Sequence, residues 1–234
     1  MTAAHTVEGI KLAAAVAAAV IGGVVLTGWM FDIAALKSIQ PGWVAMKVNA
    51  AVCFMLTGIA LLPLIRPPAT SNAQHPTFFF RFAQLCGLLA GLIGLLTLSE
   101  YVFGWNLGMD QWLFRDLADP LGKSLPGQMA PETALCFVLL GAALRIVGGS
   151  RKTRWTILVP VNLALLVALL ALAEISAYFT PGLGVYGWFG LTIMAPPTAI
   201  LFAILSLTVV AISWQPDILP WSFNRNTTVA FSAA

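Results

Sequence analysis

Three glutamates stand inside or at the edge of long apolar runs: Glu100 in "LLTLSEYVFG" (95–104), Glu174 in "LLALAEISAY" (169–178) and Glu132 in "PETALCF" (131–137). An ionisable side chain at membrane depth costs free energy unless it is paired or wetted, so each marks a place where a ligand could act. Glu100 and Glu174 occupy matching positions of matching lines, which would set both facing one vestibule. An equally good account makes them interfacial acids reaching water among lipid headgroups. Glu132 opens a helix, where a carboxylate also favours the positive end of the helix dipole. Asn49 holds the equivalent place in an earlier line and can cap a helix there. Pro197 holds it in a later one, after Pro196, and Pro is tolerated in a first turn. Asp32, in "VLTGWMFDI", lies slightly further out. Glu100, Glu174, Glu132, Asn49 and Asp32 are the candidate ligand-binding residues.

Other chemistry has less support. Asp110, Arg115, Asp116 and Asp119 gather in the longest loop, where a solvated face is the simpler reading, since exposed pairs contribute little. Trp105 and Trp112 flank them and read as anchors at a membrane interface. The two histidines, His5 and His75, fall outside the apolar runs, so paired histidines holding a haem are not expected. Cys53, Cys86 and Cys136 lie within apolar runs without the spacing of a disulfide framework or a zinc site. Neither a metalloprotease helix, a phosphate loop nor a nucleophile elbow occurs. No catalytic residue, cofactor or metal is expected. The basic residues form no patch, so nucleic acid is not an expected partner.

The elements that must position these residues are plain from composition. The chain is 59% hydrophobic and 9% charged, against about a quarter charged in soluble domains. Six apolar runs, Ile10–Trp29, Val48–Ile65, Phe82–Phe103, Pro131–Val147, Trp155–Tyr178 and Ala195–Trp214, each approach the ~20 residues of a spanning helix. An all-α integral membrane protein follows, with the lipid bilayer as its first partner. Lys11, Arg66, Arg81, Arg145, Arg151, Lys152, Arg154 and Arg225 would share one side, against Lys37, Lys47, Arg115 and Lys123 on the other. The positive-inside rule then puts both termini in the cytoplasm. The opposite loops, rich in Trp, Phe and Gly, suit an outer aromatic belt.

Three of the runs repeat one line. "MKVNAAVCFMLTGIAL" from Met46, "MAPETALCFVLLGAAL" from Met129 and "MAPPTAILFAILSLTV" from Met194 superpose Ala51, Ala134 and Ala199. They also superpose Phe54, Phe137 and Phe202, then Gly58, Gly141 and Ser206. The pattern predicts three tandem helical hairpins of one orientation, about 10–66, 81–148 and 155–214, packed around an axis along the membrane normal. The ladder of small and aromatic residues reads as packing between helices. The six-helix domain would cover 1–217. Residues 218–234 would be a connector and, at "TTVAFSAA", the start of a truncated seventh helix.

The pieces "WMFDIAALKSIQPGWVAMKVNAAVCFMLTGIALL", "SEYVFGWNLGMDQWLFRD" and "PGQMAPETALCFVLLGAALRI" resemble the membrane-embedded, MASE-like N-terminal region of bacterial sensor histidine kinases and diguanylate cyclases. That family's helix entry reads Pro-Asn-Thr-Ala-Leu-x-Phe; Glu132 and Pro197 depart from its Asn, and Pro197 stands where a His is common. The resemblance spans roughly 20–217. It implies a sensory input domain in the bacterial inner membrane, taking a small or membrane-soluble ligand and passing the stimulus to cytoplasmic output domains beyond this chain. A homodimer is implied if the output is a kinase. The residues leave two other readings open: an accessory or structural subunit docked through its aromatic loops, and, less well supported, a transporter, which would need polar residues at the midplane.

Overall fold

The computed structural model describes residues 2–40, 43–66, 76–114, 125–149, 153–179 and 193–214. These form seven helices and no strand: α1 (Thr2–Met30), α2 (Ala34–Lys37), α3 (Val48–Ile65), α4 (Pro76–Phe103), α5 (Pro131–Val147), α6 (Arg154–Phe179) and α7 (Pro196–Ser213). Five of them, α1, α3, α4, α6 and α7, are long and apolar enough to cross a membrane. α5 has 17 residues, and so is about 26 Å long against a hydrocarbon core of about 30 Å. α1 and α4 begin at Thr2 and Pro76, ahead of their apolar runs, because backbone hydrogen bonding carries a helix past the point where hydrophobicity stops. α5 and α7 each open on a proline, whose missing N–H would have had no partner there.

The helices pair as hairpins, α1 with α3, α4 with α5 and α6 with α7. α3 also meets α4, α5 meets α6 and α7 meets α1, so the hairpins close into a ring. α3, α5 and α7 touch one another and form its inside. Burial separates the two sets: 56% of the spanning window of α3 and of α7 is buried, against 28% of α1 and 33% of α4 and α6. The outer helices turn Val20, Val24, Leu88, Leu92, Leu165 and Leu169 outward.

The repeated line is the packing code of the inner helices. Phe54, Phe137 and Phe202 are fully buried and meet on the axis, with ring centroids 4.9, 4.8 and 4.7 Å apart. Tilted and edge-on pairs of this kind contribute about 0.5–1.5 kcal/mol each beyond their buried area. Ala51, Ala134 and Ala199 are likewise fully buried. Gly58 and Gly141 let each inner helix touch its hairpin mate. A Cβ at Gly58 would lie 2.5 Å from the Ala15 carbonyl oxygen, and one at Gly141 2.5 Å from that of Gly87. Ser206 takes this place in α7, its hydroxyl donating to the Ala203 carbonyl at 3.0 Å.

Several sequence expectations fall outside the described residues: Arg115, Asp116 and Asp119 of the loop cluster, His75, the aromatic loop at 180–192, and the connector and seventh-helix start at 218–234.

Candidate functional site

The end at which α3, α5 and α7 begin is termed here the entry end. Each hairpin is fastened there in the same way. An aromatic donor on the outer helix reaches the main-chain carbonyl of the methionine that precedes the inner helix. Trp29 Nε1 donates to Met46 O at 2.9 Å, Tyr101 Oη to Met129 O at 3.0 Å and Tyr178 Oη to Met194 O at 2.9 Å. Met46, Met129 and Met194 are buried. These bonds satisfy carbonyls just outside a helix start, and they fix the outer helix against the inner one. The aromatic donors were not singled out from the sequence. Their signal was an aromatic residue near the last turn of every outer helix, masked by the abundance of Trp and Phe nearby.

Between neighbouring hairpins lie three seams, each formed by the inner helix of one hairpin and the outer helix of the next. The first holds a buried polar network. Asn49, the second residue of α3, donates through Nδ2 to Asp110 Oδ1 and accepts the Ala50 N–H at 2.8 Å. Lys47, not Asn49, occupies the cap position of that helix. Glu100, near the end of α4, accepts the Leu107 N–H at 2.8 Å through Oε1 and Gln128 Nε2 at 3.1 Å through Oε2. Asn49, Glu100, Asp110 and Gln128 are all buried. Glu100 thus holds both limbs of the loop between α4 and α5 to the end of α4, and the Asn49–Asp110 bond ties the first limb to the first hairpin.

Asp110 is the main correction to the sequence reading, which put it on a solvated loop face. It is 5% exposed and sits in a short 3-10 turn, Met109–Gln111, folded back over the helix ends. Gly127 makes this fold possible: its φ is +79°, and a Cβ there would lie 2.7 Å from the Asp110 carbonyl oxygen. Burial, and then the Glu100 carboxyl within hydrogen-bond reach, push Asp110 up to about 7, while the Asn49 amide and the Lys47 ammonium pull the other way. Its Oδ2 has no hydrogen-bond partner, so the carboxyl is held on one side only, by the Asn49 amide.

The second seam holds Glu132 of α5 and Glu174 of α6. Glu132 is fully buried, and neither of its oxygens has a hydrogen-bond partner; Glu174 is 9% exposed. The two carboxyls lie close enough to act on each other, and the Met194 main-chain N–H lies near both. Cys136 and Tyr178 border the pair. Glu132 thus stands in the first turn of its helix and is buried there rather than in water.

Among the described residues the third seam, between α7 and α1, holds none of these polar groups. Pro197 stands where α3 has Asn49 and α5 has Glu132, and Leu201 stands where they have Cys53 and Cys136. On the outer helix, Gly22 packs on the Ala51 carbonyl as Gly94 packs on that of Ala134. By that register the counterpart of Tyr101 is Trp29, and the counterpart of Glu100 is Gly28. Asp32 is consequently not brought to any seam. Its side chain is 94% exposed and paired with Lys37, which holds its carboxyl below the usual range. In place of polar groups the third seam has an apolar groove of about 340 Å³.

On the axis at the entry end lies a small cavity of about 10 Å³, lined by Lys47 and by the equivalent residues Ala50, Thr133 and Thr198. It has room for about one water. The phenylalanine cluster closes the axis at a deeper level. Among the described residues no group of three or more His, Cys, Asp or Glu side chains gathers at metal-ligand spacing. Compared with protein-family models, with curated proteins and with solved structures, the chain matches none.

Proposed function

We propose that the chain is a membrane-embedded sensory input domain of a bacterial signal-transduction protein, with six spanning helices and the entry end outside the cytoplasmic membrane. The observation that carries the proposal is the buried network of Asn49, Asp110, Glu100 and Gln128, which ties an entry-end loop to the inner helices through groups that respond to their surroundings. Buried acids of this kind are costly, and the fold does not need them: the third seam closes its hairpin ring without any. Lys11, Arg66, Arg81, Arg145 and Arg154 lie toward the opposite end and Lys37 and Lys47 at the entry end, an arrangement that favours this orientation. A stimulus that favours one arrangement of the loop shifts α3, and with it the phenylalanine cluster that α7 shares. α7 then leads toward the output domains, a histidine kinase being the first expectation from the family resemblance.

The test uses the full product of the source gene in bacterial membranes, with its phosphoryl or nucleotide output measured across external stimuli. Asp110→Asn and Glu174→Gln are expected to change the response. An output unaltered in both variants under every stimulus would refute the sensory reading. The exposure of Trp105, Trp112 and Leu113 favours a second reading, an accessory subunit docked through this loop. Purification at fixed stoichiometry with a larger membrane complex, abolished by Trp112→Ser, would support it instead.

A further inference from the structure

We infer that the third seam binds an acyl chain of an anionic phospholipid, in the leaflet at the entry end. This goes beyond the sensory reading and does not rest on it. The groove lies between α1 (Ala17, Ile21, Val24) and α7 (Pro197, Ile200, Ile204), with α2 over its entry-end mouth. Its volume of about 340 Å³ falls at the lower end of the range of about 300–1,000 Å³ for ligand pockets.

Comparison of the three seams shows why it is open. Where Glu100 fills the first seam, the third has Gly28, and a Cβ on Gly28 would lie 2.7 Å from Leu36 Cβ of α2. Leu36 therefore stands over the place that the acid occupies elsewhere, and it lines the groove. Pro197 and Leu201, the counterparts of Asn49 and Cys53, line it from the other side. Among the described residues the site has none of the polar groups that the equivalent seams hold, and apolar side chains stand in their places around an open groove.

Val24 on α1, and Ile200 and Ile204 on α7, line it and are exposed. The groove thus opens sideways onto the face that meets hydrocarbon, where chains of lipid are the molecules at hand. From Pro197 to Ile204 it runs about 10 Å along the helix, a third of the hydrocarbon thickness, which suits the upper part of one chain.

Charge selects the headgroup. Among the described residues that line the groove, Lys37 is the one that is ionisable. Its ammonium stands 4.3 Å from the Trp29 ring centroid and is otherwise held by Asp32, which is exposed. The Lys37 side chain is 12% exposed and the Asp32 side chain 94% exposed, so the carboxylate stands on the open side of the ammonium, where a phosphate at the mouth can take its place.

The test reconstitutes the full chain in nanodiscs of phosphatidylcholine doped with phosphatidylglycerol carrying a diazirine on its acyl chain. After illumination, labelled peptides are mapped. Labelling is expected to concentrate on 17–25 of α1 and 197–204 of α7, and to be lost in Ala17→Phe. Ala35→Phe, at an exposed position of α2, fills the mouth without burdening the fold and is expected to give the same loss. Lys37→Gln is expected to abolish the preference over a phosphatidylcholine probe with the same chain. Labels spread evenly over the three seams would show annular lipid only and overturn the inference. So would labelling that persists in both filling variants with the thermal midpoint unchanged, or a co-purifying isoprenoid found in the groove in place of phospholipid.

Discussion

Replacing Asp110 with Asn should remove a pH response from the loop between α4 and α5. With its carboxyl raised from 3.8 to about 7 in the docked loop, Asp110 binds a proton there that the released loop gives up at lower pH. Below about pH 4 both states hold the proton, and the full contribution to docking is present. As pH rises toward 7 the released loop ionises first, so docking weakens steadily; above about 7 both states are ionised and the loss is complete. At about 1.36 kcal/mol per unit the ceiling is about 4 kcal/mol, and solvent screening at the loop edge brings the expectation to about 2. That corresponds to about a thirtyfold change in the docking equilibrium. Hydrogen exchange of the 104–111 peptide in nanodiscs, corrected for the intrinsic effect of pH, reads it directly, because the Leu107 N–H is held by Glu100. The wild-type loop should lose protection between about pH 4 and 7. Asp110→Asn keeps a donor for Glu100 and an acceptor for Asn49 at every pH, and should remain protected throughout. A variant with the same slope as the wild type, or a wild type with no slope, would refute the raised Asp110 carboxyl.

Other consequences follow from the same geometry. Phe137→Ala removes one ring of the axial cluster and should cost about 3–5 kcal/mol, seen as a lower thermal midpoint in detergent. Gly141→Val should prevent α4 and α5 from closing, with loss of monodisperse protein, because the Gly87 carbonyl it meets is backbone; Gly23→Ala, with open space around it, should be silent by the same measure. Tyr178→Phe deletes the bond to Met194 and should cost about 1 kcal/mol of stability in a denaturation series. Glu132→Leu should stabilise the fold by about 1–3 kcal/mol, since neither carboxyl oxygen has a hydrogen-bond partner to lose; a destabilised variant would show that the acid serves the fold.

How much of this was legible in the sequence depended on what kind of constraint acted. The hairpins and the axis were readable because packing repeats: Ala51, Phe54 and Gly58 recur with the same spacing in α5, and the first two also in α7. Glu100 and Glu174 stood out in the sequence because each interrupts an apolar run, and both are buried. Asp110 was not, since its burial comes from a loop folding back at Gly127, and a polar loop residue looks the same whether solvated or docked. The placement of Asp32 failed for a related reason. Linear distance from the helix end suggested a match to Glu100, but register is set by where Gly22 and Gly94 pack, and that register puts Gly28 opposite Glu100. The aromatic fastenings escaped because a hydrogen bond to a main-chain carbonyl leaves no mark on the accepting side.

The three hairpins agree where they meet on the axis and differ where they meet at the seams, and the difference has a physical basis. Each inner helix contributes one ring to a cluster in which every ring touches the other two, so a change of size at any of them disturbs all three. A seam involves only one inner and one outer helix, and its contents can change without that penalty. One seam has an acid network clasped by a loop, the second a sealed acid pair and the third an apolar groove. These are three different surroundings: buried polar groups at the first two and apolar side chains at the third. Each is carried by an inner helix that contributes a ring to the same cluster. A displacement of α3, α5 or α7 at its own seam would therefore reach the same three rings, which makes the axis the place where such displacements would be combined.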